Sequence, residues 1–202
     1  MIQRRETGIK EMLRLGLILV CYAVVSCTIL AVVNNFTAPQ IETNRINKAK
    51  KAMAKVFPEA DNFKLIEDGI HGLNATMVVS NGYLAEKDGK VIGGVIQVDG
   101  PTYDKGKIIV GIDLKGTITG MEILELSDSP GFGLKANDSS YKLPNGKTFY
   151  EQFSGKSALN GFSNGANFDC ISGATITSKG LGNMVSEGTA VLLNYFKENR
   201  YE

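Results

Sequence analysis

The residues of this 202-residue chain that could do chemistry lie in two glycine-containing segments. One is Asp169-Cys170-Ile171-Ser172-Gly173-Ala174-Thr175-Ile176-Thr177-Ser178, small and hydroxyl-rich, directly before a helical pattern that runs from about Ser178 to Lys197. That position suits a phosphate. Backbone N–H groups at a helix start lack intrahelical partners, the helix dipole is positive there, and Ser and Thr hydroxyls add donors. No GxxxxGK followed by Ser or Thr is present, and no strand leads into GxGxxG, so the common P-loop and the dinucleotide fold do not apply. On the residues alone, a Ser or Thr helix cap with a tight glycine turn explains the segment equally well. The other segment is Ser127-Asp128-Ser129-Pro130-Gly131-Phe132-Gly133-Leu134-Lys135, at the end of the last strand-like run. Pro130 sets one backbone angle, and Gly131 and Gly133 remove side-chain bulk, allowing close approach of the main chain; an ordinary strand-to-loop turn has the same composition.

Little else offers a reactive group. His71 is the only histidine and sits in a polar stretch as a surface residue. Cys21, Cys27 and Cys170 are far apart and never form CxxC, so neither a disulfide framework nor a zinc site is supported. Cys170 reads as a small buried thiol rather than a redox group. No catalytic constellation and no metal set emerge. With 22 Lys+Arg against 21 Asp+Glu, the formal charge of +1 gives no bulk attraction to nucleic acid, which excludes that class of partner. At 43% hydrophobic and 21% charged, the composition is that of a folded globular protein. The balance conceals a gradient: residues 1–14 hold four basic and two acidic side chains, residues 41–56 five and one, and residues 57–202 thirteen and eighteen.

The elements that must position the two segments begin with an anchor. From Leu15 to Val33 nineteen consecutive residues carry no charge. At helical rise they reach roughly 28 Å, close to the ~30 Å hydrocarbon core of a bilayer. The run reads as a membrane-spanning helix. A cleaved signal peptide is the rival, but its apolar core is usually about 7–15 residues long. Val24-Val25-Ser26-Cys27 has the form of a lipoprotein cleavage box, yet the apolar run continues to Val33 where a polar mature start is expected. Arg4, Arg5, Lys10 and Arg14 precede the span, and only Arg45 and Lys48 fall within the first fifteen residues after it, which places the N-terminus in the cytoplasm and the rest outside.

Asn34-Asn35 and Pro39 are expected to end the span. Ile46, Ala49, Met53, Val56 and Phe57 then recur at helical spacing with Arg45, Lys48, Lys50, Lys51 and Lys55 between them, an amphipathic stalk helix stopped by Pro58. Its basic face reads as a solvated one in preference to lipid headgroup contact. Beyond Pro58 come short β-prone runs: 75–80 before Asn81-Gly82, Tyr83 to Lys87 before Asp88-Gly89, then Val91 to Val98, Lys107 to Asp113 and Ile118 to Leu126. Asn-Gly and Asp-Gly between such runs predict tight hairpins, and strands this close leave no room for crossover helices. The sheet is therefore mainly antiparallel, with helices near Thr148 to Phe153 and from about Ser178, in an α+β class. The expected organisation is a cytoplasmic segment 1–14, a transmembrane helix 15–36, a stalk helix 37–57 and an extracytoplasmic domain 58–202.

With these elements in place, Asp169-x-x-Ser172-Gly173-Ala174-Thr175-x-Thr177 resembles the flavinylation signature of the FMN-binding domain family, which includes the G subunit of the Rnf ion-translocating electron-transport complex and the C subunit of the sodium-pumping NADH:quinone reductase. A single N-terminal span, the chain length and the second loop agree with the former. That loop usually reads Glu-Thr-Pro-Gly-Leu-Gly in the family; here Asp128, Ser129 and Phe132 stand for Glu, Thr and Leu, each keeping its chemical character. The resemblance implies FMN joined to Thr175 through a phosphoester, with Asp169, Ser172, Gly173, Ala174, Thr177 and Ser178 about the attachment point. It implies Ser129, Pro130, Gly131, Phe132, Gly133 and Leu134 near the ring. Phe149 to Lys156 also looks like family sequence, although Gln152-Phe153 fits an amphipathic core helix equally well and receives no chemistry.

What the resemblance implies for function is a membrane-anchored carrier of single electrons in an ion-translocating (Na⁺ or H⁺) ferredoxin:NAD oxidoreductase complex, in a bacterial or archaeal cytoplasmic membrane. Its partners would be the other membrane and peripheral subunits, the lipid bilayer, and a flavin transferase that takes FMN from FAD with Mg²⁺. No independent substrate site is evident. The alternatives are a single-span extracytoplasmic FMN-binding reductase and a non-redox scaffold or adhesion protein.

Overall fold

A computed structural model describes residues 2–67, 69–70 and 76–201, with side chains from residue 8 onward; His71 lies outside the described residues. The chain divides after Asn47 into two units. Helix α1 runs from Ile2 to Val56; its residues up to Asn47 belong to the first unit and those from Lys48 to the second. Among the described residues it is the one helix long and apolar enough to cross a membrane, and its apolar window is wholly exposed. The expected break at Asn34-Asn35 and Pro39 does not occur, since Pro39 lies inside the helix. A single proline removes one N–H, here the donor to the Asn35 carbonyl, and a long helix tolerates that loss. Thr37 and Thr43 donate to the carbonyls of Val33 and Pro39, each at 2.9 Å, on either side of it. The helix ends at Val56, two residues before Pro58, as the proline predicts.

The second unit is an α+β domain built on a five-stranded antiparallel sheet in sequence order: β1 Asn62–Leu65, β2 Val78–Lys87, β3 Lys90–Pro101, β4 Lys105–Asp113 and β5 Ile118–Leu126. Asp88-Gly89 forms the tight β2–β3 turn with φ of 49° and 74°, the positive pair that such hairpins require. Asn81-Gly82 is no turn. It lies inside β2 beside a bulge that leaves Ser80 without a cross-strand partner. The glycine serves packing there, because a β-carbon on Gly82 would sit 2.0 Å from Ile70 Cδ1. β1 is absent from the sequence expectation: four residues at a sheet edge are too short for alternation to register.

Alternation along the inner strands splits them between two cores. On one face Ile96, Val98, Ile108, Val110, Ile112, Met121 and Ile123 meet helix α2 (Thr175–Glu198) through Leu181, Met184, Val185, Leu192 and Phe196. On the other, Ala85, Val95, Ile109 and Leu124 meet Ala52, Met53, Val56 and Phe57 at the end of α1. The stalk's expected apolar face is therefore a core face in its last turn, while Ile46 stays exposed. Lys55 pairs with Glu122, and Lys48 donates to the Leu124 carbonyl, so two of the stalk lysines are held by the domain.

Between β5 and α2 the chain forms turns, one short 3-10 helix η1 (Gly133–Asn137), and a cluster of Phe149, Phe153, Phe162 and Phe168 with ring centroids 5.2–6.3 Å apart. The helix expected near Thr148 to Phe153 is replaced by successive turns. A stretch this short cannot sustain itself, and it meets Gly155, whose φ is +76° and whose N–H donates to the Ile118 carbonyl at 2.8 Å. α2 begins at Thr175, three residues before the predicted start at Ser178. It then passes so close to the β3–β4 connection that a β-carbon on Gly180 would lie 2.5 Å from the Pro101 carbonyl oxygen. Gly→Ala inside a helix normally adds about 1 kcal/mol of stability. Gly180→Ala is expected to do the reverse, lowering stability by about 1–3 kcal/mol through overpacking; urea unfolding of the detergent-solubilised chain checks the sign.

Candidate functional site

The site is assembled around Asp128, the second residue after β5. Its side chain turns inward and is 4% exposed. Oδ1 accepts from Thr102 Oγ1 at 2.7 Å and from the Asp104 N–H at 3.0 Å, both in the β3–β4 connection. Oδ2 accepts from Thr177 Oγ1 in the first turn of α2. Burial pushes the carboxyl up, but the Thr177, Asp104 and Thr102 donors outweigh it and hold the group below the ordinary carboxylate range. One ionised side chain thus joins three segments that are distant in sequence.

From Asp128 the chain enters a turn in which the Phe132 N–H donates to the Ser129 carbonyl at 3.3 Å, with Pro130 second and Gly131, at φ +78°, third. That order is the type II pattern. Gly133 follows, buried at the start of η1. A β-carbon there would lie 2.6 Å from Asp128 Oδ2 and 2.7 Å from Thr177 Oγ1. Its lack of a side chain makes room for that buried pair, while a β-carbon on Gly131 would meet nothing within 4 Å.

The second segment is held as firmly. Gln152, 1% exposed, grips the Asp169 backbone from both sides, accepting from its N–H at 2.8 Å and donating to its carbonyl at 3.1 Å. The Ala174 N–H donates to the Ile171 carbonyl at 2.9 Å across Gly173, whose φ is +79°. Ser178 Oγ accepts from the Ile171 N–H and donates to the Ala174 carbonyl, at 3.0 and 2.9 Å. The residue before α2 is Ala174, which has no side chain able to cap, so the first-turn N–H groups receive no side-chain acceptor. Ser or Thr capping does not account for this segment.

The two segments face each other across a cavity of about 510 Å³ lined by Ser129, Phe132 and Gly133 from one and Gly173, Ala174, Thr175 and Thr177 from the other. Tyr103, Asp128 and Ile176 also line it, and the sequence reading assigned none of them a cofactor role. Tyr103 belongs to no recognisable motif, and Ile176 occupies a variable position of the signature. Asp128 was legible only as the acidic residue that opens the Pro-Gly loop. Tyr103, Phe132 and Ile176 stand exposed around the opening, and the Phe132 ring lies over Gly173, where a β-carbon would approach it to 3.5 Å. Asp169, Ser172, Ser178, Pro130, Gly131 and Leu134 are outside the lining. Asp169 is exposed, 3.4 Å from the Asn145 amide nitrogen, and Ser178 is fully buried behind the turn.

Of the four hydroxyls in the segment, those of Thr177 and Ser178 are committed to internal bonds. Ser172 lies off the cavity wall, whereas Thr175 is exposed on it and has no hydrogen-bond partner among the described residues. The Cys170 thiol is pushed up by burial, which leaves it a poor nucleophile.

Residues 103–190, which hold every lining residue of the cavity, match the model of the FMN-binding domain, and residues 1–56 match that of the RnfG N-terminal region. The chain is similar to the G subunit of the Na(+)-translocating ferredoxin:NAD(+) oxidoreductase complex of Acetobacterium woodii, at 29% identity over 93% of this chain and 95% of the relative. It is also similar to the G subunit of the ion-translocating oxidoreductase complex of Photorhabdus laumondii, at 28% identity over 95% and 94%. The Vibrio cholerae protein of that name is 32% identical over 59% of this chain and 60% of its own length.

Because the folded-state pKa of Asp128 is depressed, its stabilisation is present above the unfolded value near 3.8 and is lost as pH falls through the folded value. Thr177→Val removes one donor and is expected to cost about 1–3 kcal/mol at neutral pH. Urea midpoints of parent and variant should then converge as pH falls below the unfolded value near 3.8 and through the lowered folded value, and a gap independent of pH would show that the bond stabilises a neutral acid.

Proposed function

The chain belongs to the G-subunit family of ion-translocating oxidoreductase complexes, and from that premise we propose that it is the membrane-anchored electron-transfer subunit of such a complex, carrying FMN covalently on Thr175. The observation that carries the attachment is the Thr175 hydroxyl, without a hydrogen-bond partner among the described residues, at the first residue of α2 and on the cavity wall. The residues present fit the group. The uncapped first turn of α2 and the turn at Gly173 offer N–H groups and a positive dipole end to a phosphate. Tyr103, Phe132 and Ile176 offer an apolar surface to a flat ring.

FMN, when bound, supplies reversible electron transfer, so the chain needs no general base or metal of its own. What its residues do is placement. Thr175 holds the group against diffusion, Gln152 and Ser178 fix the backbone that presents Thr175, and Asp128 keeps the loop of Ser129 to Gly133 closed over the helix start. A flavin transferase that takes FMN from FAD is the maturation partner, and it must reach Asp169 to Thr175, whose side chains at Asp169, Ser172 and Thr175 are exposed. The lasting partners are the other components of the complex. The apolar run Leu15 to Val33 anchors the chain, with residues 1–14 inside and the FMN domain outside.

Thr175→Ala is expected to abolish the denaturation-resistant flavin fluorescence and the FMN mass adduct, with Thr175→Ser retaining part of both. Full fluorescence in the alanine variant would move the attachment elsewhere. Protease added outside intact cells or spheroplasts is expected to digest the domain while sparing residues 1–14; a protected domain with an accessible N-terminus would reverse the orientation.

A further inference from the structure

Of the residues lining the cavity, Asp128 alone carries a charge. No Lys or Arg lines the cavity, and no ion pair at Asp128 occurs among the described residues. Its donors are the neutral hydroxyls of Thr102 and Thr177 and a backbone N–H, which solvate the carboxylate without cancelling its charge. The carboxyl is held below its ordinary range, so the charge is present at neutral pH.

We propose that Asp128 is a positioning residue that also tunes the bound flavin: a fixed negative charge in the cavity wall that holds the midpoint potential below the value the same cavity would give with a neutral side chain. The inference rests on the FMN reading above. An electron delivered to the ring by a reductant adds negative charge to a cavity that already contains one, and no bond to Asp128 forms or breaks. Like charges close together in a partly buried site interact more strongly than in water, so the reduced form is disfavoured.

The two carboxylate oxygens have different neighbours, which allows a clean test. Oδ1 takes both the Thr102 and Asp104 bonds, and Oδ2 takes the Thr177 bond alone. In Asp128→Asn the amide oxygen can keep the first two while its NH₂ donates to Thr177 Oγ1, so the charge is removed with the hydrogen bonding largely retained. Spectroelectrochemical titration of full-length, flavinylated protein in detergent at neutral pH should give a more positive midpoint for Asp128→Asn. Asp128→Glu should stay near the parent. Thr102→Val keeps the charge and withdraws one donor, so its midpoint should move the opposite way, to more negative values. An unchanged or more negative midpoint in folded, fully flavinylated Asp128→Asn protein overturns the proposal. If that variant carries no flavin, Thr102→Val decides, and an unchanged or more positive midpoint overturns it. Parent protein with no flavin adduct by intact mass would instead sink the FMN reading, before any potential is measured.

Discussion

The hydrogen bond from Thr177 to Asp128 is the constraint on which the cavity depends. Without it the loop after β5 and the first turn of α2 have no direct polar link through these residues, and a buried carboxylate loses a donor. Hydrogen bonds to buried ions contribute about 1.5–3 kcal/mol, and an unmet one costs at least as much. The glycine at 133 follows from the same bond, because its α-carbon packs where a side chain would displace both partners. The turn at Pro130-Gly131 brings the chain back in time for that contact.

The sheet supplies the rigid support, and glycine sets how near its neighbours come. Glycine inside strands usually weakens them. Here Gly93, Gly111 and Gly120 open one face to Val56 and Phe57, and Gly94 and Gly100 open the other to Phe196, Leu192 and Met184. On α2, Gly182 and Gly188 meet the Phe168 ring and Val98. The backbone entropy lost at these positions is offset by helix-to-sheet approach that larger side chains would prevent. The start of α2 is thereby fixed against the β3–β4 connection, and with it the orientation of Thr175.

How much of this was legible depends on whether a residue's role is local. The anchor, the alternating strands, the Asp88-Gly89 turn and the stripe of α2 follow from periods and pairs within a few residues, and the sequence reading found them. Asn81-Gly82 misled because a turn dipeptide and a packing glycine look identical until Ile70 is seen against it. Pro39 misled because a proline's cost is small against a helix of 55 residues. The segment Asp169 to Ser178 was readable as a motif, but the division of labour among its hydroxyls was not. Thr177 and Ser178 are committed to partners, one of them 49 residues away, and only the fold shows that Thr175 is left over. Tyr103 reaches the same cavity through long-range closure, on the connection that Asp128 binds at Thr102 and Asp104.

The turn that presents Thr175 is held entirely by bonds within the polypeptide: Gln152 to the Asp169 backbone, Ile171 to Ala174, and Ser178 to both sides of the turn. None of them requires a cofactor. The geometry around Thr175 is therefore a property of the fold itself, and a substitution at Gln152 or Ser178, neither of which lines the cavity, would loosen its wall from behind.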